Sequence, residues 1–371
     1  MTVEAKAPKA FEPLTHGTRQ IPLDALRGVA IALVIVHHVW WRFPMIHDDP
    51  LARFVAGIGW AGVDLFFGIS GYLITTILMK SRGPDSIRSF FVKRFFRIVP
   101  IYLIAIGVFI VVSMLTGNDR DVLDRIWINL LLLTAWFIPF AGENGVPYTI
   151  TWSVSVEEFA YLLLGGIGAM GAHLLIRSLA WIIISAFLLR IASIIFFAFE
   201  PITLYYFAPG RIDAIAMGGA MATLSQSMRE RIIMPAWLPW GLWLVAVAVC
   251  SQMRRENAFV ATIGYTAIAF ASAWLVVCVA NTQNATHWRL TRWLASLGVV
   301  SYFVYLFHGY VIGMLSKTLP DGAVLTAGIW GISLLAMSLT YAAARVSWRF
   351  FEHPLILMGR RIADRTGRRA T

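Results

Sequence analysis

The chain has 371 residues, 58% of them hydrophobic and 14% charged, with a mean hydropathy of +0.71. Soluble domains are about 45–50% apolar, so this composition excludes an ordinary water-soluble fold. The net charge of +11 does not indicate nucleic acid, because most of the excess falls in loops and in the C-terminal tail, where membrane topology places cations.

Residues 1–20 mix Pro8, Pro13, Glu4 and Glu12 with several cations and precede the first apolar run. They read as a disordered cytoplasmic tail, not as a signal peptide, since no small-residue cleavage site follows the run. The run itself, LDALRGVAIALVIVHHVW, carries Arg27 and His38. Ionisable groups at membrane depth are costly and mark candidate functional sites. Eleven residues make about three helical turns and roughly 16 Å of rise, so the two side chains share one helix face. A fixed cation at one level and an imidazole at the other suit a site that anchors an anion and moves a proton. His37 faces about 100° away and is the alternative base.

Apolar runs then recur over 21–42, 56–79, 98–116, 152–171, 179–199, 204–224, 236–250, 258–280, 294–316 and 322–345. The pattern predicts an all-α polytopic membrane bundle of about ten transmembrane helices. Counting the short apolar stretch 126–140 as well makes eleven and puts Arg360, Arg361, Arg365, Arg368 and Arg369 outside. Ten spans put both termini and most cations inside, and leave Asp48, Asp49, Asp119, Asp121 and Asp124 outside. Arg254 and Arg255 are the exceptions. On this reading 126–140 is re-entrant or interfacial, and the domains are the tail 1–20, a transmembrane domain 21–354 and a basic cytoplasmic tail 355–371. The chain reads as one membrane domain with no attached soluble enzyme. Cys250 and Cys278 lie in apolar runs and support neither a disulfide framework nor a metal site.

Polar motifs fall at the ends of these runs. GWAGVDLFFGISGYL carries Asp64, and SFFVKRFFRIVP carries Arg94 and Arg97 three residues apart, on one face if helical. YTITWSVSVEEFAYLLL brings Trp152, Ser153, Ser155, Glu157, Glu158 and Tyr161. APGRIDAIAMGG carries Arg211 and Asp213, LGVVSYFVYLFHGYV carries Tyr305 and His308, and WRFFEHP follows the last span. Each has a plainer alternative. Arg94 and Arg97 are topology signals or anion ligands. Arg211 and Asp213 are a structural ion pair or a site. His308 is a packing residue or a ligand, and the Trp152 segment is a helix start.

Together these motifs resemble the membrane acyltransferase-3 family of bacterial O-acyltransferases, which act on O-antigen, exopolysaccharide, peptidoglycan and macrolides. The matching features are LDALRG with an Arg, ten residues and a His; GVDLFF with SGYLI; KRFFRI.P; W-S-x-S-x-E-E with a following Tyr; R-x-D; SY..YL.H; and FE.P. They run from Leu23 to Pro354, with Lys93 standing where the family often has Arg. The resemblance implies transfer of an acyl group, commonly acetyl, from cytoplasmic acyl-CoA to a hydroxyl of an extracytoplasmic or lipid-linked sugar. It makes His38 the general base, with Asp64 to orient it and Glu157 or Glu158 in support. Arg27, Arg94 and Arg97 hold the coenzyme A phosphates, and Trp152, Arg211, Asp213, Tyr305 and His308 hold the acceptor. It implies acyl-CoA as a co-substrate, no permanently bound cofactor or metal, a membrane-lipid and carbohydrate setting without nucleic acid, and the bacterial inner membrane. A sugar or lipid transporter of a polysaccharide export system also needs buried Arg, His and carboxylates. Transporters more often show two similar halves, and none is visible here.

Overall fold

The computed structural model describes residues 20–46, 49–81, 84–117, 120–235, 237–253, 255–282 and 289–368. Among them every regular element is helical. The expected tail over 1–19, with Asp48, Asp119, Arg254 and Arg369, lies outside the described residues.

Helix α1 (Ile21–Arg42) buries Leu23, Leu26, Ala30, Ile31, Val34 and Ile35, a spacing of three and four that makes one apolar face. The second span is two helices, α2 (Pro50–Gly59) and α3 (Gly62–Lys80). Helix α4 runs from Pro84 to Thr116, so the basic stretch expected to be a loop before residue 98 is already helical. A proline opens this helix, where its missing N–H costs nothing, and Ile87 and Phe90 bury three residues apart. The stretch 126–140 is not one span. It is two short helices, α5 (Trp127–Leu130) and α6 (Thr134–Ala141), separated by Leu132 in the left-handed region at φ 59°.

Helices α7 (Trp152–Ala169), α8 (Ala172–Phe197), α9 (Ala208–Thr223), α10 (Gln226–Ile232), α11 (Trp237–Gln252) and α12 (Tyr265–Ala280) follow. Next come α13 (Arg289–Val299), α14 (Ser301–Thr318) and α15 (Asp321–Ser347), the last broken at Gly328. A π-helical turn, Trp348–Glu352, leads into α16 (His353–Arg368). The region expected as a basic tail is therefore helical through Arg368. It lies along α4, with Asp364 3.5 Å from Lys93.

Two close helix crossings hold the centre. A Cβ on Gly71 of α3 would stand 1.8 Å from the Ile215 carbonyl oxygen of α9, and one on Gly218 2.1 Å from that of Gly68. A Cβ on Gly298 of α13 would stand 1.8 Å from the Asp24 carbonyl oxygen of α1. Only glycine permits such backbone approach, the usual device for packing helices where no hydrophobic force drives them together.

Among the described residues, six helical segments are long and apolar enough to cross a membrane, and up to eight if each of two bent pairs counts as one span. The expected ten are not reached. The two shortfalls are α7, which carries Glu157 and Glu158, and the 16-residue α9. Sixteen residues rise only about 24 Å, less than the roughly 30 Å of a hydrocarbon core. Both helices bury much of their surface within the bundle.

Candidate functional site

One cleft, part of it open to the outside, gathers residues from α1, α3, α4, α7 and α14. Arg27 of α1 lines it together with Arg94 and Arg97 of α4. Arg27 stays 3.4 Å from Asp24, one turn earlier on its own helix. Arg94 donates to the Tyr161 hydroxyl at 3.0 Å and lies over that ring, 4.3 Å from its centroid. Arg97 lines the cleft one turn further along α4. Three guanidiniums around one opening suit a ligand with several phosphates, because each offers a planar fork of donors.

Hydroxyls and one carboxylate also line the cleft. Ser70 donates to the Glu157 carboxylate, joining α3 to α7. Ser153 donates to the Tyr305 hydroxyl at 2.8 Å, and that hydroxyl donates to the Ile150 carbonyl at 3.1 Å. Glu158 turns away from the cleft, as its position one residue on requires. Among the described residues, its buried Oε1 has no hydrogen-bond partner. Trp152, expected at the acceptor, is instead buried against Phe67, Tyr205 and Tyr206, at centroid distances of 6.0, 4.7 and 5.2 Å.

The histidines stand beyond Tyr305. The His38 and His308 rings meet edge to face with centroids 4.8 Å apart, and His308 lies 5.8 Å from the Tyr305 ring. Nδ1–H of His38 donates to the Val34 carbonyl at 2.8 Å, which leaves Nε2 as the basic nitrogen of the neutral ring. Nδ1–H of His37 donates to the Ala56 carbonyl at 2.7 Å, so His37 faces α2 while His38 faces α14.

Two expected pairings are corrected. Asp64 does not reach His38, whose Nδ1 is taken by its own helix. Asp64 lies 2.5 Å from Arg211 of α9, and neither side chain has any exposed surface. Arg211 and Asp213 do not pair with each other either, because residues two apart on a helix point to different faces. Asp213 instead lies 2.9 Å from Arg190 of α8, again with both side chains fully buried. Arg190 also donates to the Gly210 carbonyl and to the Thr266 hydroxyl. Two carboxylates and two guanidiniums thus form a neutral knot that ties α3, α8 and α9 together and reaches α12.

Arg190 was missed by the sequence reading, although a lone arginine within AFLLRIASII is a membrane-depth charge of the kind that should have been flagged. Ser70 opens the SGYLI motif, but a small polar residue in an apolar run reads first as a packing residue. Arg255, an exception to the cation bias, lies over the rings of Tyr205 and Trp60, at 5.2 and 5.7 Å from their centroids.

Comparison with known proteins matches residues 21–346 to the family described as an acyltransferase domain. A putative peptidoglycan O-acetyltransferase of Bacillus subtilis is 28% identical, over 95% of this chain and 57% of its own length. The peptidoglycan O-acetyltransferase of Listeria monocytogenes is 25% identical, over 92% of this chain and 56% of its own. A putative O-acetyltransferase of Staphylococcus aureus is 23% identical, over 91% and 57%. The chain therefore spans little more than half the length of each of these relatives. No solved structure matches it. The family match runs from the first residue of α1 to the last turn of α15 and takes in every residue lining the cleft, so this chain belongs to the acyltransferase-3 family.

Proposed function

We propose that the chain is a multi-pass O-acyltransferase of the bacterial cytoplasmic membrane, with both termini in the cytoplasm. It moves an acyl group, acetyl in the simplest case, from cytoplasmic acyl-CoA to a hydroxyl of an extracytoplasmic or lipid-linked carbohydrate. The observation that carries this reading is the convergence of Arg27, Arg94 and Arg97 on one cleft whose wall, at Tyr305, abuts the paired rings of His308 and His38. Two of the relatives described above are named for peptidoglycan, which makes a peptidoglycan-type sugar the first acceptor to test.

In this scheme the guanidiniums hold the phosphates of coenzyme A, and the thioester reaches inward along the cleft. Arg27 and His38 are separated by about 16 Å of helix rise, so donor anchoring and proton transfer occur at different levels. Nε2 of His38 takes the proton of the acceptor hydroxyl as its oxygen attacks the thioester carbonyl carbon. The C–O bond forms, the C–S bond breaks, and the departing thiolate takes up the proton. Hydroxyl and thioester become ester and thiol. Asp64 has no place in this chemistry, being committed to Arg211.

The test is transfer by the purified full chain in liposomes, with acetyl-CoA and a muropeptide acceptor. His38→Ala should lower turnover by 10²-fold or more, the scale of general acid–base catalysis, while acetyl-CoA binding stays near that of the parent. His37→Ala should be mild. Full turnover in His38→Ala would remove the imidazole from the mechanism and with it this reading of the site.

A further inference from the structure

Arg255 is a cation fixed in place without a counter-charge. It sits in the turn after α11, half-buried, over the rings of Tyr205 and Trp60. Among the described residues, no carboxylate stands within salt-bridge distance of it. The two rings beneath it are buried and locked. The Trp60 indole N–H donates to Ser251 at 3.1 Å, Ser251 donates to the Gly57 carbonyl at 2.8 Å, and the Tyr205 hydroxyl donates to the Trp60 carbonyl at 2.9 Å. The aromatic faces attract and orient the guanidinium but do not neutralise it. Arg211 lies against the same Tyr205 ring, 5.5 Å from its centroid, yet its charge is matched by Asp64 at 2.5 Å.

The unmatched cation stands at the His38 end of the bundle. A Cβ on Gly59 would lie 2.9 Å from the Cβ of His37, so α2 packs directly on α1 beside the histidines, and Trp60 is the next residue. The Arg255 charge accordingly acts on both His37 and His38. Arg27 and Arg94 act instead on Arg97, in the other group of cations. His38 keeps part of its own surface accessible.

We propose that Arg255 anchors an anionic group of the acceptor, a carboxylate or a phosphate carried on the sugar, and so selects acidic carbohydrates. This rests on the reading of the chain as a carbohydrate O-acyltransferase with His38 as its base. A preoriented guanidinium offers a planar fork to two oxygens of such a group. The pairing also serves the transfer. When His38 takes the hydroxyl proton, its new positive charge is opposed by that of Arg255; an anion held on Arg255 cancels the opposition, and a neutral sugar leaves it standing. Donor phosphates and acceptor anion are then held by separate cations.

The experiment uses the full chain in liposomes with acetyl-CoA and three acceptors. The first is the disaccharide of N-acetylglucosamine and N-acetylmuramic acid with its lactyl carboxylate free. The second is its neutral methylamide, and the third is that amide carrying a phosphate at the reducing end. The parent should prefer a charged acceptor over the neutral one by about tenfold or more in kcat/KM, the scale of one charge-assisted hydrogen bond. Preference for the carboxylate assigns a sugar acid; preference for the phosphate assigns the link of a carrier-bound sugar. Salt should erode the preference. Arg255→Gln should melt near the parent, keep its KM for acetyl-CoA and lose the preference. Arg255→Lys should retain part of it, having the charge without the fork. If the parent uses all three acceptors alike, or Arg255→Gln keeps the preference, the proposal falls. If Arg255→Gln weakens transfer to all three equally, Arg255 is a packing residue and the proposal falls as well. Full turnover in His38→Ala would instead remove the base reading, on which the proposal rests.

Discussion

Replacing Asp64 with asparagine tests whether this carboxylate belongs to the chemistry or to the frame. Asp64 and Arg211 stand 2.5 Å apart, and Asp213 and Arg190 2.9 Å apart, with no exposed surface on any of the four. The knot is neutral, so Asp64→Asn leaves one uncompensated guanidinium inside the bundle. Breaking one side of a buried pair costs about 3–5 kcal/mol, chiefly because the remaining charge is still desolvated. At about 2 °C per kcal/mol, suited to a chain of this size, the melting temperature should fall by roughly 6–10 °C. The assay is thermal unfolding of the detergent-solubilised protein. Its control is the double variant Asp64→Asn with Arg211→Met, which removes both charges of that pair and leaves Asp213 with Arg190. The double variant should melt well above the single one, because the two sites are coupled. If Asp64→Asn melts like the parent and yet loses transfer, Asp64 is part of the reaction and the frame argument is refuted.

Arg94→Ala combined with Arg97→Ala should raise the KM for acetyl-CoA at least tenfold, with Lys at both positions restoring only part because it lacks the planar fork; an unchanged KM would leave both as topology signals. Gly71→Val should lower stability by about 1–3 kcal/mol or more, since even a Cβ there meets the Ile215 carbonyl at 1.8 Å; unfolding in detergent reads it. Asp49 accepts from the amides of Ala52 and Leu51 and from the Trp330 indole, and these bonds hold its carboxyl below the usual carboxylate range. A lowered value means the cap on α2 is intact at neutral pH and is lost as the pH falls through it; hydrogen exchange at Leu51 and Ala52 should accelerate only on strong acidification.

The recurring apolar runs determined a membrane-embedded helical bundle. Periodicity along one helix puts Arg27 and His38 on a common face and turns His37 away from His38, and the structure agrees on the second point, with His37 facing α2 and His38 facing α14. Arg27, Arg94 and Arg97 were named from their motifs, and the fold brings all three to one cleft. What sequence could not supply were relations between helices. Asp64 faces Arg211 and not His38, and Asp213 faces Arg190, because partner choice depends on which helix packs on which and in what rotation. The span count of about ten is not confirmed, for a related reason. Hydropathy measures what one segment offers to lipid, whereas α7 and α9 are held by their neighbours, so their polar residues and short lengths are tolerated inside the bundle. The same holds for the histidine pair: SY..YL.H names His308, but only the packing of α14 on α1 sets its ring 4.8 Å from His38 and leaves its Nε2 buried without a donor.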